Sequence, residues 1–130
     1  RYTWGDSPAP SADSANIADE SAIKFIALIY KDYRDSFSLT APVGSFTPNQ
    51  HGLFDISGNA SEWVHDFYEV KVIAPGVVET DPAGAERGRY HVVRGSGWKH
   101  SGLTELRLSF RDYSDTPRND LGFRVVKWAN

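Results

Sequence analysis

The sequence predicts a small α+β domain in which short strands and long ordered loops outweigh helix. Three observations predict it. Strand-like runs are brief, as at 90–94 and 106–111. Turn-forming residues are spread along the chain, with 11 glycines and 7 prolines among 130 residues. Only two stretches, 22–30 and 62–68, invite a helix, and both are short.

In chain order, 7–14 is rich in Pro, Ala, Ser and Asp and reads as an exposed loop. From 22 to 30 apolar residues are nearly continuous (Ile23, Phe25, Ile26, Leu28, Ile29), which suits a short buried helix or a strand. Asp19 or Ser21 as a cap tips the reading toward helix. Residues 31–50 carry Asp35, Pro42, Pro48 and Asn49 and read as loop, with an extended piece at 43–46. Asn59 or Ser57 is placed to cap a helical turn over 62–68. Residues 73–88, with two prolines and three glycines, form a long irregular connection. A strand at 90–94 ends at Gly95 and Gly97.

Strict alternation at 106–111 puts Leu106, Leu108 and Phe110 on one strand face and Arg107, Ser109 and Arg111 on the other. A polar turn over 112–120 and a closing strand at 123–128 complete the chain.

Composition narrows the function classes. A hydrophobic share of 40% with 13% aromatics belongs to a chain that folds. A net charge of −3 without a basic run offers no nucleic-acid surface, and no apolar run is long enough to span a membrane. With no cysteine, thiol catalysis and thiolate metal sites are excluded. Starting at Arg1 and lacking Met, the sequence reads as a processed piece of a longer product.

One stretch concentrates the chemistry: Gly52-Leu53-Phe54-Asp55-Ile56-Ser57-Gly58-Asn59-Ala60-Ser61-Glu62-Trp63. Asp55, Ser57, Asn59 and Glu62 crowd around Gly58, which can take the positive φ of a sharp reversal. Converging hard oxygens suit calcium, which takes about six to eight of them. The spacing is not that of an EF-hand, and a capped turn explains the same residues.

This stretch resembles the signature of the sulfatase-modifying-factor family, which includes formylglycine-generating enzymes and relatives in ergothioneine and pyoverdine biosynthesis. Tyr2-Thr3-Trp4-Gly5-Asp6, Ala15-Asn16-Ile17, Ala41-Pro42-Val43-Gly44-Ser45-Phe46, Val93-Arg94-Gly95 and Leu121-Gly122-Phe123-Arg124-Val125-Val126 extend the likeness, in the family's order. The resemblance implies a variant of the C-type lectin fold, of which residues 1–130 are the later part of a single domain. It also implies a partner for that part: the N-terminal portion of the domain, or another chain.

The resemblance further implies a pair of structural calcium sites. One would use Asn16, Ile17, Asp35 and Phe37, with Ile17 and Phe37 contributing carbonyls. The other would use Asp55, the Gly58 and Ala60 carbonyls, and Glu62. Such oxygens suit a hard cation, whereas hydrogen-bonded turns are the plain alternative. Sites of this kind favour an extracytoplasmic location.

The family's copper oxidases bind the metal through a pair of cysteines just beyond Arg-Gly-Gly-Ser-aromatic. This chain reads Arg94-Gly95-Ser96-Gly97-Trp98-Lys99-His100 and has no thiol, so no copper is expected. Gly97 replaces the family's serine, Ser61 its usual tryptophan, and His100 falls near the first cysteine. Nearby, Arg94, Trp98, His100, Arg107 and Arg111 make a candidate ligand face, since Arg forks grip carboxylate or phosphate and Trp offers a stacking plane. The alternative is that the arginines brace the loops.

The expectation is a calcium-stabilised, lectin-like binding module for a peptide, protein or small anionic ligand, catalysing no formylglycine synthesis. The runner-up is an oxidoreductase lobe that works with a missing N-terminal part or a partner domain.

Overall fold

A computed structural model describes residues 1–127. Its regular structure, among the described residues, is one 3-10 turn and one four-stranded sheet. The strands are β1 (Ser61–Phe67), β2 (His91–Arg94), β3 (Arg111–Ser114) and β4 (Leu121–Phe123), in spatial order β3-β2-β1-β4. β2 runs antiparallel to β1 and to β3, while β4 lies parallel to β1. No helix among the described residues is long and apolar enough to cross a membrane.

β1 corrects the expected helical turn over 62–68. Trp63, Val64 and Phe67 favour extended backbone, and β1 is hydrogen-bonded on both sides, to β2 and to β4. Its pairing with β2 jumps from Trp63↔Val93 to Phe67↔His91, so the segment between bulges out of the ladder.

The alternating run at 106–111 is not a strand either. It forms turns, with Leu106 fully buried and Leu108 exposed, and β3 begins only at Arg111. The carbonyls of Leu108, Ser109 and Phe110 all accept from the Arg94 guanidinium, at 2.9, 3.3 and 2.6 Å. Those oxygens meet a side chain instead of a strand partner. The polar turn placed at 112–120 accordingly starts late, because Asp112–Ser114 belong to β3.

Helix shrinks to the 3-10 turn Glu20–Ala22, which Asp19 caps by accepting from Ser21 N at 2.7 Å. The following apolar run is not buried: Ile23, Phe25 and Leu28 face solvent. The extended piece expected at 43–46 is a turn around Gly44, with Val43 exposed and Phe46 buried. The loops at 7–14 and 73–88 and the strand before Gly95 are as the sequence predicts. The closing strand expected at 123–128 lies earlier, at Leu121–Phe123: 124–127 carry no strand, and Trp128 lies outside the described residues.

The apolar core gathers Tyr2, Ala15, Ile17, Tyr33 and Leu106, with Trp4 and Tyr30 packed against it. It therefore joins the early loops to the turn before β3. Residues 15–19 are all buried and lie against the loop that leads into β1.

Candidate functional site

The loop before β1 is built on a close backbone approach. Gly58 has φ +86°, and a Cβ there would lie 2.5 Å from the Asn16 carbonyl oxygen, so no other residue fits. Next to it, Asn59 N donates to that same carbonyl at 2.7 Å. The Asn59 side chain then ties in Ala41: its Oδ1 accepts from Ala41 N at 2.9 Å and its Nδ2 donates to Ala41 O at 3.1 Å. Sequence reasoning saw Asn59 as a cap or as one of the oxygens around Gly58, yet it is the buried knot joining three segments.

Asn16, Ile17, Asp35 and Phe37 are brought together. Buried Asp35 accepts from Ile17 N at 2.9 Å and from Phe37 N at 2.7 Å, and its own amide donates to Asp19. Burial pushes the Asp35 carboxyl up to about 6, against the opposing pull of those amides, with Asp19 adding repulsion. Asn16 Nδ2 donates to Leu39 O at 2.8 Å, while Asn16 Oδ1 is buried with no donor. A buried acceptor without a donor, on the residue next to the Ile17 amide that Asp35 accepts, suits a cation.

The other set is arranged differently. Glu62 is held by Arg124, whose Nε donates to Glu62 Oε2 at 2.6 Å. The same guanidinium donates to the carbonyls of Phe54 and Asp55 at 3.1 and 3.2 Å. Its hydrogen bonds to Glu62 hold Arg124 still more firmly in the charged form, with smaller help from Asp55. Asp55, at φ +53°, turns its carboxylate onto Gly44 N at 2.7 Å. An internal cation thus answers Glu62. Of the expected set, Glu62 and the Asp55 carbonyl meet Arg124, and Arg124 is a site residue that the sequence reading missed. Among the described residues no three His, Asp or Glu side chains gather as a metal cluster.

The expected ligand face is not one face. Arg94 is committed to the 108–110 carbonyls, and Trp98 is buried with its indole toward Asn119 O at 3.4 Å. His100 Nδ1 accepts from Gly97 N at 2.8 Å, closing a tight turn. Arg107 borders a small hollow of about 150 Å³ beside Arg1 and Tyr2. Arg111 lies over the Tyr68 ring at 4.9 Å and donates to Glu69 O at 3.1 Å. Arg94 and Arg111 instead share the wall of a separate cavity of about 690 Å³ against the sheet. The strand alternation that grouped Arg107 with Arg111 is absent, so the two point into different concavities.

Comparison with known proteins settles the family. The family model described as the sulfatase-modifying factor enzyme 1-like domain matches residues 1–129. The chain belongs to that family. A formylglycine-generating enzyme of Streptomyces coelicolor is 30% identical over 134 aligned residues, covering 100% of this chain and 41% of that protein. The serine/threonine-protein kinase pkn1 of Chlamydia pneumoniae is 36% identical over 98 residues, covering 70% of this chain and 15% of that protein. Among solved structures, PvdO from Pseudomonas aeruginosa superposes with a TM-score of 0.63 at 27% identity, over 92% of this chain and 40% of its own. The chain therefore spans less than half the length of these relatives, and its fold is the formylglycine-generating-enzyme variant of the C-type-lectin-like class.

In this sulfatase-modifying factor domain the departures from the family motif lie together. A Cβ on Gly97 would come within 3.2 Å of Ser61 N and 3.4 Å of Ser61 Oγ. His100 in turn accepts from the Gly97 amide. Ser61 and Gly97 are buried, and Ser61 Oγ has no partner. Ser61 and Gly97 are thus packed in the interior, with His100 half-buried beside them.

Proposed function

We propose that this chain is a calcium-stabilised binding module of the sulfatase-modifying factor family, without copper-dependent oxidase chemistry. The observation that carries it is the buried, donorless Asn16 Oδ1, on the residue next to Ile17, whose amide Asp35 accepts. Asn16 and Asp35 would hold the ion through side-chain oxygens, with the Ile17 and Phe37 carbonyls completing the set. Bound there, calcium supplies positive charge that joins the 15–19 segment to the 35–37 loop. The chain's own part is to keep those loops in register: Tyr33 OH donates to Ala15 O at 2.8 Å, and Asp35 receives the two amides. The absence of cysteine and the use of His100 in a turn both speak against a copper centre at the family's position.

Thermal melting with calcium and with chelator tests the reading. A ligand that binds only the folded state adds about 2.7 kcal/mol at a hundredfold excess over Kd. Calcium should raise Tm by several degrees, and Asn16→Ala should remove most of the rise. Superimposable curves with and without chelator would return Asn16 and Asp35 to the role of turn caps.

A second reading has an observation of its own. The Streptomyces enzyme matches the whole chain but is more than twice as long, as 41% coverage shows. On that reading the chain is an oxidoreductase lobe of the non-heme-iron or pyoverdine kind, completed by polypeptide outside these residues. Incubation with copper and a sulfatase-motif peptide, followed by mass spectrometry, tests the exclusion of formylglycine synthesis. The peptide cysteine should stay unchanged, and turnover-dependent conversion to formylglycine would overturn that exclusion.

A further inference from the structure

The cavity against the sheet is a built feature. Its floor is Val64 and Asp66 from the bulged part of β1, with Val92 of β2, and its outer wall is the 69–85 loop. Bulges of this kind re-aim side chains out of a regular ladder. The wall is fastened to β1 by Phe67 N donating to Ala85 O at 2.9 Å. Gly84, at φ +79°, lies so close that an added Cβ would be 2.7 Å from Asp66 Oδ2. The wall therefore rests directly on the Asp66 side chain. A volume of about 690 Å³ is that of a small-molecule or side-chain pocket.

Its charges are unequally committed. Lys71 pairs with Glu79. The Arg94 guanidinium is turned onto the Leu108, Ser109 and Phe110 carbonyls. Arg111 covers Tyr68 and donates to Glu69 O. Asp66 and Glu69 line the same cavity; neither carboxylate makes a hydrogen bond or a salt bridge among the described residues, although Lys71 feels the charge of Glu69. The arginines are turned onto backbone and ring and Lys71 onto Glu79, so the Asp66 carboxylate faces the cavity beside Val64, Val92, Ile73 and Pro82 without a cation of its own.

We propose that this cavity binds an organic cation, an ammonium or guanidinium on an apolar stem, with Asp66 and Glu69 as its charge partners. This rests on the binding-module reading and reverses the sign of the ligand expected from the arginines. A cationic head reaching unpaired carboxylates gains charge-assisted hydrogen bonds, and its stem covers Val64 and Val92.

The test is a binding titration, followed by amide NMR shifts, with acetyl-Ala-Lys-Ala-amide. The same peptide with norleucine or glutamate in place of lysine, and n-butylammonium, serve as further probes. Saturable shifts in the β1 bulge and at 84–85 are expected with the lysine peptide and not with norleucine or glutamate. Butylammonium tells the source: equal binding assigns a free amine, and weaker binding assigns a peptide side chain. Asp66→Asn, which keeps the shape, should weaken binding about tenfold or more, and Glu69→Gln by less. No shift with either cation, equal binding of the norleucine peptide, tighter binding of the glutamate peptide, or an unaffected Asp66→Asn would each overturn the proposal. The calcium-dependent Tm shift is read on the same samples. Its persistence when cation binding fails sinks only this inference, and its loss sinks the calcium scaffold.

Discussion

The loops at 16–37 and 55–62 contain the same kinds of oxygen and were expected to do the same thing. They differ in what completes them. At 16–37 backbone amides satisfy part of Asp35, and the Asn16 side-chain oxygen Oδ1 is left without a donor. At 55–62 a guanidinium from β4's trailing residue reaches Glu62 and two backbone carbonyls together. A cluster of acceptors therefore does not specify a metal. What matters is whether the chain supplies its own cation, and Arg124 stands 62 residues from the carboxylate it meets.

Three substitutions sharpen the contrast. Arg124→Ala has the largest expected effect, about 2 kcal/mol, because a half-buried carboxylate and the Phe54 and Asp55 carbonyls lose their donor together. Denaturant melts with and without calcium should show the same loss in both. A loss that calcium repaired would mean that the ion takes over the guanidinium's place. Asp55→Ala removes the acceptor for Gly44 N and leaves at a positive φ a residue that tolerates it less well than aspartate, so about 1 kcal/mol is expected. The calcium shift should survive it, and a vanished shift would restore Asp55 as a ligand. Arg107→Ala is the smallest, within about 0.5 kcal/mol, since its only hydrogen bond among the described residues is 3.4 Å to the Thr104 carbonyl in an exposed turn. A loss of several kcal/mol would make Arg107 a brace after all.

The parts legible in the sequence were those set by neighbours along the chain. Asp19 caps the turn two residues on, the β-branched run before Gly95 is β2, and prolines and glycines mark the long connection over 73–88. The rest depended on distant partners. Asn59 before Ser61–Phe67 carries a helix-cap signal, but pairing with β2 and β4 overrides it and Asn59 binds Ala41 instead. At 106–111 the alternation was real, yet Arg94 captures the carbonyls that a strand would need. The same capture explains the ligand face. Arg94 was named as a ligand contact because arginine chemistry is visible in sequence, whereas the carbonyls that use it are visible only in space. The Asp66 cavity left no trace in the sequence, since it depends on a bulge and on Gly84 packing against β1.

The parallel seam between β1 and β4 has a kinetic meaning. β2 and β3 can pair with β1 as a local antiparallel series, but β4 must return past both to reach the far side of β1. Closing so long a loop costs entropy before any contact repays it. Folding rates fall as contacts become less local, which places a chain like this toward the slower end of small domains. β4 is three residues long, held by its pairing with β1 and by the Arg124 clamp that follows it, so the last seam to close is also the first to open. Each such opening bares the edge of β1 along Ser61–Trp63 and makes this strand, rather than the sheet's permanent edges, the place where misassembly would begin.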